Sequence, residues 1–199
     1  HMTDVYAYAW TRANLNVEAL GESMKYAAPA MHAYGGDIHD AAAAMMIMGN
    51  AGIKGSMAGT ALRMGLLRLA GPPKKASKEM EALGVSLSDA TRMAYESQAQ
   101  LEALGIHTDA NMKPTEKMSY VLRELSSKMQ GLSKDEKLAA VGAIFGVNAA
   151  SGWLAVLEQG PEAFEKFRNE LRTSDGTAKQ VAQTMNDDTR GAWLYLESA

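Results

Sequence analysis

The sequence predicts an all-α protein, a multi-helix bundle of short helices joined by Gly/Pro-rich turns. Its composition is 47% hydrophobic but only 7% aromatic, and strong helix formers such as Ala, Leu, Met, Glu and Lys far outnumber β-branched residues. Apolar residues recur at helical spacing, and nothing alternates with period two over a convincing length. The 18 glycines and 5 prolines punctuate this pattern and keep the individual helices short.

The first two predicted helices lie on either side of a glycine pair. Residues 14–16 offer N-caps for a helix ending at Pro29, whose apolar residues recur at helical spacing: Val17, Leu20, Met24, Ala27 and Ala28. Gly35-Gly36 then breaks the chain. Asp37 is the predicted N-cap of a helix from Ile38 to Met48, which is apolar on most sides and is therefore expected to be buried.

A glycine-rich run from Ala51 to Leu69 follows, in which glycines stand where a helical protein normally places helix formers. It leads into a helix predicted over 56–70. Small residues permit close approach of helices, so the run predicts a tight turn that packs helices 38–49 and 56–70 together. The residues assigned to this helix-packing turn are Gly52, Gly55, Ser56 and Gly59.

The same glycines do not form a phosphate loop. The spacing Gly49-x-x-Gly52-x-x-Gly55 lacks the Gly-Lys-Ser/Thr ending of that motif and follows a helix-type apolar segment instead of a strand.

The middle of the chain predicts three further helices. Pro72-Pro73 stops the preceding helix, and residues 74–83 form a short amphipathic helix with Gly84 as its C-cap. Ser88-Asp89 starts a helix that ends at Leu104-Gly105. After a loop over 106–114, the next helix carries an apolar stripe of Met118, Val121, Leu122, Leu125 and Met129.

The last third begins with a capping box over 133–136, which starts a helix running through about Phe145. The glycines predicted to divide the following stretch are Gly146, Gly152 and Gly160. Pro161 suits the first position of an amphipathic helix that ends at Leu171. A turn at 174–176 precedes a last helix containing Val181, Met185, Trp193 and Leu196.

The residues that carry chemistry elsewhere do not form catalytic, cofactor or metal motifs here. There is no cysteine, His32, His39 and His107 lack ligand spacing, and no serine has a nucleophile-elbow context. Glu158 and Glu162 flank a Gly-Pro turn where acidic residues favour a helix start in any case. A net charge of −3 argues against a dedicated nucleic-acid binder, and no apolar run approaches the roughly 20 residues of a membrane span.

Two observations leave alternatives open. Glu-Ala-Leu-Gly begins at Glu18, Glu81 and Glu102, either as a favoured C-cap used three times or because residues 85–105 are an inserted or duplicated helical segment. A group of methionines either fills the core or forms an adaptable binding groove: Met45, Met46, Met48, Met57, Met64 and Met93.

Several segments, in order, resemble the conserved region of phage tail tape measure proteins. Residues 14–29 and 50–63, with the specific Ala-Gly-Ile-Lys-Gly-Ser run, carry most of the resemblance, which covers roughly residues 11–199. Further matching segments are Leu104-Gly105-Ile106, 109–114, Leu132-Ser133, Ile144-Phe145-Gly146 and 150–153. The family usually passes directly from the Leu-Gly-Val/Ile cap to the loop at 109–114, so residues 85–105 depart from its pattern and favour the insertion.

The resemblance implies a non-enzymatic structural module that acts in tail assembly and length determination, and in DNA ejection. The partners it implies are the tail tube protein, tail-tip or baseplate proteins and tail assembly chaperones, with self-association as a further expectation. The expected location is the interior of the virion tail, and the host cytoplasm during assembly. The alternative is a membrane-active, conduit-forming segment that exposes the apolar stretch 38–70 during genome delivery.

The expected organisation is one compact module of a much longer protein from a phage or prophage. His1-Met2 resembles a remnant of a cloning vector. Residues 3–84 form an N-terminal helical part with the glycine-rich turn, 85–105 a helical insertion, and 106–199 a C-terminal helical part.

Overall fold

A computed structural model describes residues 2–34, 37–69, 84, 86–109, 112 and 114–184. Within these ranges the chain forms helices and turns and no strand, which confirms the all-α prediction. The helices are α1 (Met2–Arg12), α2 (Val17–Tyr34), α3 (Ile38–Asn50), α4 (Ser56–Leu69), α5 (Leu87–Ala103), α6 (Pro114–Lys128), α7 (Lys134–Phe145), α8 (Ala150–Gln159) and α9 (Pro161–Arg172). A 3-10 turn at Val147–Ala149 precedes α8, and residues 177–184 are helical.

Helix α1 was not predicted from the sequence. Its fully buried side chains are only Val5 and Ala9, one helical turn apart, so the apolar signal is short. Distant contacts secure it: Tyr8 donates a hydrogen bond of 3.0 Å to Glu170 of α9, and Asp4 accepts one of 3.0 Å from the backbone N–H of Ala178.

Helix α2 does not end at Pro29, as the sequence predicted, but continues to Tyr34 with the proline inside it. A proline in a helix interior removes one backbone hydrogen bond and costs roughly 3 kcal/mol. The continuation buries Ala30 and Met31 beside Ala27 in the core, and this packing offsets the cost.

Helix α3 confirms the prediction of a buried helix. Asp37 caps it by accepting a 2.9 Å hydrogen bond from the backbone N–H of His39, and every residue from 39 to 49 is buried. The three methionines of α3, at 45, 46 and 48, belong to the core, whereas Met57 in α4 is 61% exposed. The core interpretation therefore holds for the methionines of α3 and not for Met57.

Helix α4 is the central helix of the bundle. It packs most extensively against α2 and also contacts α5, α7 and α8. Leu62 and Leu67 are buried completely within it. A helix in contact with neighbours on several sides needs small residues at its closest approaches, and Gly59 and Gly65 occupy such positions.

Helix α5 starts at the N-cap Ser86, two residues before the predicted Ser88-Asp89 start. It buries Ala90, Ala94 and Leu101 and packs against α4 and α7. The described residues 86–105 therefore contribute to the core, while the idea that residues 85–105 are an insertion stays a prediction.

The capping box at the start of α7 is confirmed. Ser133 Oγ accepts from the backbone N–H of Glu136 at 3.3 Å, and the Glu136 carboxylate accepts from the backbone N–H of Ser133 at 2.8 Å. Gly146 and Gly160 flank helix ends as predicted, and Pro161 stands at the start of α9.

Gly152 does not divide helices, contrary to the prediction. It lies inside α8, where a Cβ atom would come within 2.8 Å of Ala61 Cβ and 3.2 Å of Met48 Sδ. Gly152 therefore serves close packing of α8 on α3 and α4.

The turn at 174–176 is present, and a helical segment follows it. Several predictions lie outside the described residues: the stop at Pro72-Pro73, the helix over 74–83, and Met185, Trp193 and Leu196 of the last helix.

Candidate helix-packing site

The closest approach at the glycine-rich run is between Gly59 of α4 and α2. A Cβ atom on Gly59 would overlap the Ser23 carbonyl oxygen and lie 2.9 Å from both Ser23 Cα and Tyr26 Cβ. Because Ser23 meets this position with backbone atoms, a small side-chain rearrangement cannot make room. The sequence predicted a close approach here but assigned it to helix 38–49; the helix in contact is α2.

Gly55 has a different role from Gly59. Its φ of 58° lies in the left-handed region, and the nearest atom to a hypothetical Cβ is Glu22 Cγ at 3.8 Å. The buried Ser23 hydroxyl lies 2.8 Å from the carbonyl oxygens of Gly55 and Ala19, and can donate its proton to either. Gly55 therefore shapes the turn, while Ser23 fixes the turn to α2.

The other two predicted turn residues lie at the surface. Gly52 is exposed with a φ of 84°, and Ser56, at the start of α4, is exposed as well. Two hydrogen bonds tie this turn to the loop before α2: Asn14 N–H donates to Asn50 Oδ1 at 2.8 Å, and Lys54 Nζ donates to Asn14 Oδ1 at 3.0 Å. The four residues therefore do not form one compact site, because only Gly59 lies at a buried helix contact.

A second close approach on α4 was missed by the sequence. Trp153 of α8 packs directly against Gly65: a Cβ atom on Gly65 would lie 2.5 Å from Trp153 Cε2 and 2.6 Å from Trp153 Nε1. Trp153 is completely buried, donates its indole N–H to the Ala61 carbonyl at 2.8 Å, and stacks on Phe145 with ring centroids 4.7 Å apart. The spacing of Gly59, Ala61 and Gly65 on one helix was the available signal, but nothing in the sequence pairs it with Trp153.

An exposed apolar surface lies on the other side of α8. Val147 is 84% exposed, and Met57 and Leu138 are exposed beside it. The surface contains two grooves that share Ser151, of about 570 Å³ along α7 and about 170 Å³ along the start of α4. Asp135 is the one charged residue lining either groove. We call Met57, Leu138 and Val147 the apolar surface residues.

A group of charged side chains, of which Asp40 is the buried carboxylate, connects α3 to α9. Arg172 Nη2 donates to Asp37 Oδ2 at 3.0 Å, and Arg168 Nη1 lies 3.6 Å from Asp40 Oδ1. Asp37 also contacts His39 Nδ1 at 2.6 Å, and Arg168 pairs with Glu165. These residues form the α3–α9 polar cluster: Asp37, His39, Asp40, Glu165, Arg168 and Arg172.

The two aspartates of the cluster differ in their proton affinity. Burial tends to raise the pKa of Asp37, but hydrogen bonds from the His39 backbone, Arg172 and the His39 ring outweigh it and hold that pKa below its usual value. Burial raises the pKa of Asp40 to about 6 against the opposing attraction of Arg168. The cluster was not identified from the sequence, which showed only the N-cap Asp37.

Among the described residues there is no group of three or more His, Cys, Asp or Glu side chains that could hold a metal ion. In the same part of the chain, no single helix is long and apolar enough to cross a membrane. Helix α7 and the segment Val147–Gln159 meet that criterion only as a pair, and the pair is bent by 119°.

Known proteins match this chain over most of its length. The family described as phage-related minor tail protein matches residues 1–146. The chain is 38% identical over 188 residues to the tape measure protein of Pneumococcus phage Dp-1, covering 94% of this chain and 14% of that protein. It is 25% identical over 202 residues to the probable tape measure protein of Escherichia phage P2, covering 100% of this chain and 22% of that protein. No solved structure matches the chain significantly.

Proposed function

The chain belongs to the family of phage-related minor tail proteins, and we propose that it is a structural module of a tape measure protein that acts through contacts with other tail proteins. Tail assembly and length determination are the processes we assign to it, with a further role in DNA ejection. The observation that carries the proposal is the match of nearly the whole chain to one segment of the Dp-1 tape measure protein. As a member of a tail protein family it is a component of the virion tail, and we propose that it is incorporated in the host cytoplasm during assembly.

The bundle supports an interacting role more than a measuring role. If 199 residues formed one straight helix they would span about 300 Å, at about 1.5 Å per residue. The described helices instead fold back on one another, since α1 at one end of the described chain contacts α9 and residue 178 near the other. In this folded form the module adds little to the length of a ruler.

A tail-length measurement distinguishes the two roles. We expect an in-frame deletion of the matching segment in phage Dp-1 to shorten the tail by far less than about 300 Å, or to block assembly through loss of contacts. A tail shortened by about 300 Å, with otherwise normal particles, would show that the segment is extended in the tube.

The apolar surface residues supply the contact that we propose for the tail tube protein. Large exposed apolar side chains beside nearly uncharged grooves are typical of protein interaction sites. A pull-down of the tail tube protein tests this contact, using Val147→Lys to place a charge at the most exposed of the apolar surface residues.

Gln183→Lys is the matched control, because Gln183 is exposed in the segment 177–184. We expect Val147→Lys to lose binding while the control and the unmodified chain retain it. Equal binding by both variants, or none by the unmodified chain, contradicts the proposed contact.

The second candidate function is membrane activity during genome delivery. The stretch 38–70 proposed for it from the sequence includes α3, which is buried in the bundle. By length and composition, the bent pair of α7 and Val147–Gln159 is a second candidate for the membrane-active segment, although its apolar side chains also pack in the core. Leakage of a trapped dye from anionic and neutral vesicles tests it. Intact vesicles at both neutral and acid pH would exclude this role for the module.

A further inference from the structure

Asp40 is a buried carboxyl group at the contact between α3 and α9. The residue is only 4% exposed, and neither carboxylate oxygen accepts a hydrogen bond from a described residue. Its ion-pair partner, Arg168, lies 3.6 Å away, and that arginine also pairs with Glu165 and donates to Ser119 of α6 at 3.1 Å. An incompletely solvated carboxylate with a shared counter-charge is an expensive group to keep ionised.

The charges that act on Asp40 come from both sides of this contact. Helix α9 presents Arg168 and Arg172, which favour the carboxylate, and Glu165, which opposes it. From its own helix Asp40 faces Asp37, which also opposes ionisation, and Asp37 is held in turn by His39 and Arg172. The remaining contact, from α6, is the neutral hydroxyl of Ser119 on Arg168.

Position along α3 does not relieve the cost. Asp40 is the third residue of the helix, where a carboxylate normally gains from the helix dipole and from reaching back to the cap. Here the cap is Asp37, whose own carboxylate accepts the backbone N–H of His39. Asp40 points into the bundle instead, so burial outweighs the benefit of the helix terminus.

We propose that Asp40 makes the contact between α3 and α9 depend on pH: its ionised form loosens the contact and its protonated form tightens it. We call the loosening of this contact at neutral pH the release. The proton balance fixes the direction. Burial raises the pKa of Asp40 to about 6, whereas a solvated aspartate keeps its usual lower pKa. The stability that protonated Asp40 adds to the α3–α9 contact is therefore fully present below about pH 4. It is lost as the pH rises to about 6, so at neutral pH α9 separates from α3 more readily.

The release weakens one of the contacts that hold α9, while its buried Phe164 and Leu171 and the hydrogen bond from Tyr8 to Glu170 do not depend on Asp40. A tail module could therefore loosen at α9 without unfolding completely. The release does not depend on which tail protein the module contacts.

Thiol labelling of the full chain tests the release, since the protein has no cysteine of its own. Ser174→Cys, two residues after the end of α9, places a thiol at a side chain only 2% exposed. Ser97→Cys places one at a completely buried position in α5. Each is compared with and without Asp40→Asn, which removes the charge and keeps the shape. Asp135→Asn, at an exposed position in α7, is the control for the substitution itself.

At about pH 7.5 we expect Asp40→Asn to slow labelling at position 174 by roughly ten- to a hundredfold, and the ratio to shrink about tenfold near pH 4.5. Labelling at position 97 should change much less, and Asp135→Asn should change neither. Faster labelling with Asp40→Asn would show that the ion pair with Arg168 stabilises the contact and would overturn the proposal. A pH-independent ratio, or equal slowing at both positions, would overturn it as well.

Discussion

Gly59→Ala tests whether the contact between α4 and α2 depends on the missing side chain. The added methyl group would overlap the Ser23 carbonyl oxygen and crowd Ser23 Cα and Tyr26 Cβ at 2.9 Å. Overpacking of this kind costs about 1–3 kcal/mol, and backbone atoms on the opposing helix place it near the upper end. Replacing glycine by alanine within a helix returns about 1 kcal/mol, which leaves a net destabilisation of about 2 kcal/mol.

Gly21→Ala provides a matched control on the opposing helix. Gly21 lies inside α2, is exposed, and a Cβ there meets nothing within 4 Å. This variant should gain about 0.5–1 kcal/mol from helix propensity alone. The same substitution in two packed helices therefore has opposite signs, and the difference between them isolates the close approach.

Thermal and urea denaturation of the two variants measure this difference. For a chain of this size each 1 kcal/mol shifts the melting temperature by about 2–4 °C, so Gly59→Ala should melt about 4–8 °C lower and Gly21→Ala slightly higher. The reasoning is refuted if Gly59→Ala is as stable as Gly21→Ala, because α2 and α4 would then not approach as closely as the structure shows.

Substitutions at three further positions address other contacts. Gly55→Ala should lose about 1–2 kcal/mol through backbone strain at its φ of 58°, and Gly55→Asn should lose less; equal urea midpoints for the two variants would exclude strain as the cause. Trp153→Phe should lose about 2–3 kcal/mol, because it removes the 2.8 Å hydrogen bond to Ala61 and part of the ring that fills the Gly65 notch; an unchanged midpoint would contradict this. The pKa of Asp37 is lowered in the folded state, so the stability that its carboxylate adds to the fold is present above about pH 4 and is lost below it. Asp37→Asn should therefore cost no more than about 1 kcal/mol of folding stability at neutral pH. If the melting temperatures of this variant and the unmodified chain do not converge towards pH 3, this reasoning is wrong.

Where the chain marks its helix ends locally, the sequence predicted them well. The capping box at Ser133 and Glu136, the cap at Asp37 and the proline start at Pro161 each depend on residues within one turn of the helix end. Local chemistry of this kind is readable without the fold.

The errors arise where distant packing decides the outcome. Pro29 carries the local signal of a helix end, yet burial of Ala30 and Met31 continues α2 beyond it. Gly152 carries the signal of a break, yet it lies within α8 because Ala61 and Met48 leave no room for a side chain. Neither contact is visible in a single sequence, since the partners are far away along the chain.

The glycine-rich run shows why the candidate site could be only partly predicted. Its sequence marks a place with little side-chain volume, but glycine serves two physical purposes and the sequence does not separate them. Gly55 provides a left-handed turn, whereas Gly59 provides space for the backbone of α2. The two positions should therefore tolerate different substitutions: asparagine can replace Gly55, whereas no residue with a side chain fits at position 59.

The small residues of α4 also identify the contacts that hold the module together. Gly59 admits α2, Gly65 admits Trp153 of α8, and Ala61 between them accepts the indole hydrogen bond, so α4 binds two neighbours through three small residues. The α3–α9 polar cluster lies on other helices, and burial there opposes the charge of Asp40. A bundle built this way should keep α2, α4 and α8 together while α9 responds to pH, because the closest approaches of α4 depend on small residues and an indole hydrogen bond, whereas the α3–α9 contact contains the buried carboxyl group of Asp40.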